Sequence, residues 1–168
     1  MCILCDSAPA LTELKIYIKA ASLDQPEVIA LITALNADLI ERYPEDGSNH
    51  FRLDPEEVAP GRGVFLVAYV DGHPAGCGAT RLIDPQTAEI KRMYVVPEFR
   101  GRGIAGRVLE GLEQHARSLG ARQIVLETGE RQPEAIALYT RAGFERIPLY
   151  GEYIDSPLSM CMGKPLHA

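Results

Sequence analysis

Glycines and arginines alternate in the stretch FRGRGIAGR, residues 99–107, between a strand-like and a helix-like segment. The first N–H groups of a helix have no intrahelical partner, and the helix dipole adds partial positive charge there. Glycines let an oxygen ligand approach those groups, and arginine guanidinium groups add charges that pair with phosphate. The composition therefore predicts a phosphate or pyrophosphate site formed by Arg100, Gly101, Arg102, Gly103, Gly106 and Arg107.

Two common phosphate-binding motifs compete for these residues. A P-loop needs a Gly-Lys-Ser/Thr ending, and neither Lys nor Ser/Thr follows the glycines, so this motif is excluded. The dinucleotide fingerprint G-x-G-x-x-G is matched by Gly101, Gly103 and Gly106, with Glu127 about 20 residues further on. Against it, residues 97–100 separate the strand from the first glycine, and too few strand–helix units follow. An enzyme that binds nicotinamide is therefore the weaker alternative.

A third pattern, R-x-x-G-x-A, is read at Arg100, Gly103 and Ala105, and it resembles the acetyl-CoA signature of the GNAT superfamily of N-acetyltransferases. Upstream, AEIKRMYV resembles the strand that the family places before this loop. Downstream, AIALYTRAGFERI, residues 135–147, resembles its closing helix and turn. The similarity covers residues 15–164. It implies an α/β fold with a mixed, mostly antiparallel central sheet flanked by helices, and an acetyl-CoA cleft between the two central parallel strands.

The resemblance also indicates which residues bind acetyl-CoA as co-substrate. The family makes its oxyanion contact through a backbone N–H that matches Met93, and the backbone of Val95 matches a contact to the pantetheine arm. Gln132 stands where the family often has Asn, so this contact would be made with a longer side chain. The full implied set is Met93, Val95, Arg100, Gly101, Arg102, Gly103, Ile104, Ala105, Gly106 and Gln132.

Acetyl transfer to an amine benefits from a general base and from an acid that protonates the leaving thiolate. By resemblance, Glu89 is the candidate base and Tyr139 the candidate acid. The alternatives are a glutamate that only pairs with neighbouring cations and a tyrosine that only packs in the core. A covalent mechanism through Cys77 or Cys161 is disfavoured because no motif places a histidine beside either thiol.

Length and charge narrow the class of protein. The chain has 168 residues, 46% of them hydrophobic, which predicts a single domain over 1–168 with residues 1–13 as a flexible or peripheral segment. A net charge of −6 disfavours nucleic acid, whereas the local basic cluster in 91–107 suits a small polyanion. Neither a signal peptide nor a membrane span is predicted, and the expected location is the cytoplasm. Cys2 and Cys5 lack two further ligands at zinc spacing, so no metal is expected.

Hydrophobic periodicity and turn residues predict the elements that position these side chains. A helix is capped by Asp24 and ends near Tyr43, a polar loop follows over 45–62 with a short helical turn at 55–58, and Asp71-Gly72 forms a hairpin turn. Further helices are predicted at 102–119 and 133–142. Strands are predicted at 14–20, 63–70, 73–83, 87–96, 123–128, and near 144–148 and 158–162.

The sequence therefore predicts an acyltransferase that moves an acetyl group from acetyl-CoA directly to a primary amine of a small molecule. A non-catalytic acyl-CoA sensor is the alternative, and a homodimer is left open by the resemblance. Acidic residues in 41–57 favour a cationic acceptor, whereas Arg52, Arg62 and Arg81 would instead hold an acceptor carboxylate. The stretch 150–153, Tyr-Gly-Glu-Tyr, has the composition of a binding loop.

Overall fold

A seven-stranded sheet organises the molecule, and its strand order is β1-β2-β3-β4-β5-β7-β6. The structure is a computed structural model and describes residues 13–48 and 52–167. Neighbouring strands are antiparallel except for the central pair β4 and β5, which is parallel. The strands are β1 Ile16–Ala20, β2 Gly63–Val70, β3 His73–Asp84, β4 Thr87–Val95, β5 Gln123–Gly129, β6 Glu145–Ile147 and β7 Ser159–Pro165.

This topology confirms the predicted mixed sheet and argues against a dinucleotide-binding fold, which requires a mostly parallel sheet. The Asp71-Gly72 hairpin is also confirmed, and both residues have positive φ, as its turn requires. The short helical turn is present as the 3₁₀ helix Pro55–Val58. β7 continues to Pro165, beyond its predicted end, because it pairs with the whole of β5.

In the part of the chain that the structure describes, three α-helices cover the two faces of the sheet: α1 Pro26–Arg42, α2 Ile104–Ser118 and α3 Pro133–Arg141. α1 packs its buried Val28 and Leu31 against one face, and α2 and α3 pack against the other. The predicted Asp24 cap was wrong: Gln25 is the N-cap of α1, and its Oε1 accepts a hydrogen bond from the Ser22 N–H. α1, at 17 residues, and the other helices described lack the length and apolarity needed to cross a membrane.

β4 bends at a bulge before it reaches the glycine–arginine loop. Its register with β3 passes from Ala79↔Lys91 to Cys77↔Tyr94, so β4 carries one extra residue over this interval. Arg92 adopts a left-handed backbone conformation, with φ of 59°, and its guanidinium contacts Asn36 of α1. A bulge adds twist and bends its strand, and here it turns the second half of β4 away from β5.

Candidate active site

A cleft opens where β4 and β5 separate. Their parallel register runs from Thr87↔Gln123 to Ile90↔Leu126, and both strands continue beyond the last pair. Residues 91–95 of β4 and 127–129 of β5 line the two sides of the gap, which has a volume of about 390 Å³. The glycine–arginine loop and the start of α2 line one end, and Glu127, Lys91 and Tyr153 lie in the same cleft.

The loop before α2 has the backbone that an anion site needs. Gly101 and Gly103 both have positive φ, 77° and 76°, a conformation that side chains with a Cβ rarely adopt. Gly103 is the N-cap of α2, so the first free N–H groups of that helix follow it directly. A Cβ added at Gly106 would meet no atom within 4 Å, so it would project into the space beside the helix start.

The predicted cofactor-binding residues converge on this cleft with one exception. Arg102 is not among the cleft-lining residues; its guanidinium lies over the Phe99 ring at 5.5 Å. Arg100 donates through Nε to the carbonyl oxygen of Val95 at 2.9 Å, which joins the loop to the end of β4. The residues that do line the cleft are Met93, Val95, Arg100, Gly101, Gly103, Ile104, Ala105, Gly106 and Gln132.

Tyr139 of α3 also lines the cleft and is 5% exposed. Its ring packs edge-on against Phe144, with centroids 5.7 Å apart. Tyr139 therefore packs in the core and also lines the cleft, so the two alternatives raised by the sequence are compatible. Burial, and then the negative charge of Glu127, raise the pKa of Tyr139 well above its ordinary value. The phenol is therefore protonated at neutral pH and can donate a hydrogen bond into the cleft.

Glu89 lies behind the cleft, at 1% exposure, rather than among its lining residues. Its Oε2 accepts hydrogen bonds from Arg81, whose Nη2 lies 2.8 Å away, and its Oε1 accepts from the hydroxyls of Tyr150 at 2.9 Å and Tyr153 at 2.8 Å. Arg81 also pairs with Glu57. Burial and then the charge of Glu89 raise the pKa values of both tyrosines, so they stay protonated as donors.

Glu127 is one of three acidic residues that line the cleft, and the other two, Asp38 and Glu134, pair with Arg42. Glu127 follows Leu126, the last β5 residue paired with β4, and one of its oxygens accepts a hydrogen bond from Ser159 of β7 at 2.7 Å. Burial raises the pKa of Glu127 to about 7, although the Ser159 hydrogen bond and the positive charge of Lys91 act in the opposite direction. A carboxyl group with this pKa can exchange a proton near neutral pH.

Lys91 lies on the β4 side of the same cleft, opposite Glu127. Only 7% of the residue is exposed, and within the described part of the chain its Nζ has no hydrogen-bond partner. The nearest carboxylate is that of Glu152, with Nζ and Oε1 3.6 Å apart. Sequence reasoning did not place Lys91 and Glu127 in the cleft, and the available signal was charged residues within the buried strand segments EIKRMYV and QIVLET.

Neither described cysteine is suited to attack a thioester. Cys77 is fully buried, and burial raises its pKa to about 12, while its Sγ lies 3.4 Å from the carbonyl oxygen of Arg92. Burial also raises the pKa of Cys161. The thiolate is the nucleophilic form, and both thiols are protonated at neutral pH. Cys2 and Cys5, weighed above as zinc ligands, lie outside the described residues.

The acidic segment 41–57 is partly neutralised. Glu45 pairs with Arg131 at 2.7 Å, and Asp54 pairs with Arg52 at the same distance. Because Glu57 also holds Arg81, arginines occupy half of the six acids that suggested a cationic acceptor. Among residues 13–48 and 52–167, no group of three or more acidic, histidine or cysteine side chains is arranged for a metal ion.

Comparison with known proteins gives a consistent family. The model of the acetyltransferase (GNAT) family matches residues 28–144. A relative from Azospirillum brasilense, named IAA acetyltransferase, is 41% identical over 143 residues, which cover 84% of this chain and 92% of the relative.

Solved structures agree with the fold. A Klebsiella pneumoniae protein described as an acyl-CoA N-acyltransferase is 34% identical, with a TM-score of 0.77, over 90% of this chain and 98% of its own. A GNAT acetyltransferase from Elizabethkingia anophelis, solved with acetyl-CoA bound, shares the fold at 19% identity, with a TM-score of 0.63 over 90% of this chain and 98% of its own. The chain belongs to the GNAT family of N-acetyltransferases and is an acyl-CoA-dependent acyltransferase.

Proposed function

We propose that the protein transfers an acetyl group from acetyl-CoA directly to the primary amine of a small molecule. The observation that carries this proposal is one cleft with an anion-binding loop at the start of α2 and a carboxyl group of pKa about 7, Glu127, on β5. A loop for a phosphorylated donor and a proton acceptor for an amine are the two requirements of the reaction.

Acetyl-CoA fits the loop by charge and by space. Gly101 and Gly103 leave the backbone N–H groups accessible, and the exposed guanidinium of Arg100 lies beside them, so these residues would hold the pyrophosphate. Gln132, at the N-cap of α3, would offer its amide to the pantetheine arm. When bound, acetyl-CoA supplies an activated thioester acetyl group. The acetyl-CoA complex of the Elizabethkingia relative supports this choice.

Glu127 is the base that we favour, and Glu89 has a different task. The two oxygens of Glu89 already accept from Arg81, Tyr150 and Tyr153. Glu127 faces the cleft and is partly ionised at pH 7, so it can receive the proton of the attacking amine directly or through water. Glu89 then holds the segment around Tyr150 and Tyr153 against the sheet. The expectation that Glu89 is the base stays a prediction, and the pH experiment below separates the two.

Two further groups complete the site. The backbone N–H of Met93 lies within the bulge of β4, and a fixed main-chain donor suits a developing oxyanion because it needs no reorganisation. Tyr139 donates its phenolic proton toward the leaving sulfur. Direct transfer is favoured over a covalent cysteine route because burial keeps Cys77 and Cys161 protonated.

Release of free thiol from acetyl-CoA tests this function. Purified protein is mixed with acetyl-CoA and a panel of amino acids, polyamines, aminoglycosides and simple alkylamines, and CoA and NAD binding are measured by calorimetry. We expect CoA binding and amine-dependent thiol release. CoA binding without release for any amine would favour the sensor, and NAD binding without CoA binding would overturn the proposal.

A further inference from the structure

Lys91 is a buried cation that lines the cleft without a hydrogen-bond partner in the described part of the chain. An ammonium group has three donors and no acceptor, and burying it unpaired is costly. The 3.6 Å separation from Glu152 exceeds hydrogen-bond distance, and the Glu152 side chain is 46% exposed. Lys91 therefore lies within ion-pair distance of Glu152 but forms no hydrogen bond to a carboxylate in the described part of the chain.

Two arginines of the neighbouring segments already have carboxylate partners. Arg81 is held between Glu57 and Glu89, and Arg52 forks onto Asp54 through Nε at 3.0 Å and Nη2 at 2.7 Å. Arg52 and Arg81 were two of the three sequence-based candidates for binding an acceptor carboxylate, with Arg62 as the third. Lys91 is better placed for that task because it lines the cleft and its Nζ forms no hydrogen bond within the described part of the chain.

Lys91 and Glu127 together favour one class of acceptor. They lie on adjacent strands, one residue beyond the last paired positions, Ile90 and Leu126. A carboxylate bound to Lys91 would place an attached amino group near Glu127, where it can lose its proton. A polyamine or aminoglycoside brings only positive charge and would leave Lys91 facing another cation.

We propose that the acceptor is an amino acid or a closely related amino-carboxylate, whose carboxylate is bound by Lys91 Nζ while its amine is presented to Glu127. This inference rests on the proposed acetyltransferase function and specifies its substrate class. Lys91 acts here as a specificity-determining residue. Its role is distinct from that of Glu127, because it binds the acceptor at a group that does not react.

Matched acceptors provide the first test. Thiol release is measured with wild-type protein for a set of amino acids and for the carboxamide of each. The carboxamide has the less basic amine, so a larger fraction of it is neutral near pH 7, and this offsets the lower nucleophilicity of that neutral amine. We nevertheless expect kcat/KM to be at least roughly 10-fold greater for the amino acid, as is typical when a charged hydrogen bond is formed.

A lysine substitution provides the second test. Lys91→Met keeps the length of the side chain and removes its charge, and Lys19→Met, at an exposed position of β1, is the matched control. We expect Lys91→Met to lower kcat/KM for the amino acid by roughly 10- to 100-fold and to leave the carboxamide within about 3-fold. Calorimetry should give an unchanged Kd for CoA, and Lys19→Met should behave as wild type.

The outcomes separate the two proposals. No thiol release with any amine refutes the proposed function itself. Thiol release with equal kcat/KM for acid and carboxamide, or an equal loss for both in Lys91→Met, overturns the amino-carboxylate inference and leaves the acetyltransferase standing. If Lys91→Met does not fold, inhibition of the wild type is decisive: the deaminated carboxylic acid should compete with the acceptor, and its amide should not. Absence of that difference counts against the inference.

Discussion

Replacing Glu127 by Gln should remove the acid limb of the pH–rate profile. With a pKa of about 7, the carboxyl group is roughly one-tenth ionised at pH 6, half ionised at pH 7 and nine-tenths ionised at pH 8. After correction for titration of the acceptor amine, kcat/KM of the wild type should therefore rise about 10-fold between pH 6 and pH 8. Glu127→Gln should lower kcat/KM at pH 8 by about 10²- to 10⁴-fold, the usual contribution of a general base.

The same substitution has an opposite effect on stability. Because folding raises the pKa of Glu127 from 4.5 to about 7, its ionisation favours the unfolded chain. The part of the stability that depends on Glu127 is fully present below pH 4.5 and is lost as the pH rises through the folded-state pKa of about 7. The neutral amide avoids this loss, so at pH 8 Glu127→Gln should be more stable than wild type by ~1–3 kcal/mol, which raises the melting temperature by roughly 3–10 °C. At pH 5 the melting temperatures of the variant and the wild type should be similar.

The assay is thiol release from acetyl-CoA over pH 5.5–9, with thermal unfolding measured in the same buffers. Glu145→Gln, at an exposed position of β6, is the matched control and should change neither quantity. Glu89→Gln should keep the acid limb near pH 7 but should lower the stability of the fold, because the partly buried Arg81 and two tyrosine hydroxyls lose a charged acceptor. If the limb persists in Glu127→Gln and disappears in Glu89→Gln, our assignment of the base is refuted.

Four other substitutions test the remaining parts of the site. Tyr139→Phe should lower kcat about 10- to 100-fold, with a smaller loss for acetyl donors whose leaving thiol is more acidic; an equal loss for all donors would contradict the acid role. Gly103→Ala should lower the free energy of unfolding by ~1–2 kcal/mol, because residue 103 has a φ of 76°, and calorimetry should show weaker CoA binding. Gly106→Ala should leave the fold unchanged and affect only CoA binding. Gly129→Ala should lower the melting temperature by several degrees, since the new Cβ would overlap the Tyr43 hydroxyl; an unchanged melting temperature would show that Tyr43 can move aside.

The sequence was informative wherever chemistry depends on neighbours along the chain. Glycine and proline marked the element boundaries to within a few residues, and the loop before α2 was recognisable because its glycines and arginines are contiguous. The approach of Lys91 to Glu127 was not predictable in the same way. It depends on the parallel register of β4 and β5, which are separated by the whole of α2, and on which face of each strand turns toward α1.

The bulge at Arg92 was equally unpredictable from the sequence. Nothing in the residues 91–94 requires a left-handed arginine, which is held there by tertiary contacts such as that with Asn36. The placement of Glu89 behind the cleft has the same origin, since its partners Arg81, Tyr150 and Tyr153 come from distant segments. Family resemblance located the strand correctly but not which carboxylate on this face of the sheet remains accessible.

The bulge also determines whether the free-energy cost of opening the cleft is incurred during folding or during binding. The two central strands are parted by the fold itself beyond Ile90 and Leu126, so a coenzyme need not break a ladder of main-chain hydrogen bonds to enter. The free energy needed to separate the strands therefore lowers the stability of the folded protein and does not lower its affinity for the coenzyme. A version of this chain in which residue 92 relaxed and the strands closed would gain main-chain hydrogen bonds and resist heat better, and it would bind its substrates less well.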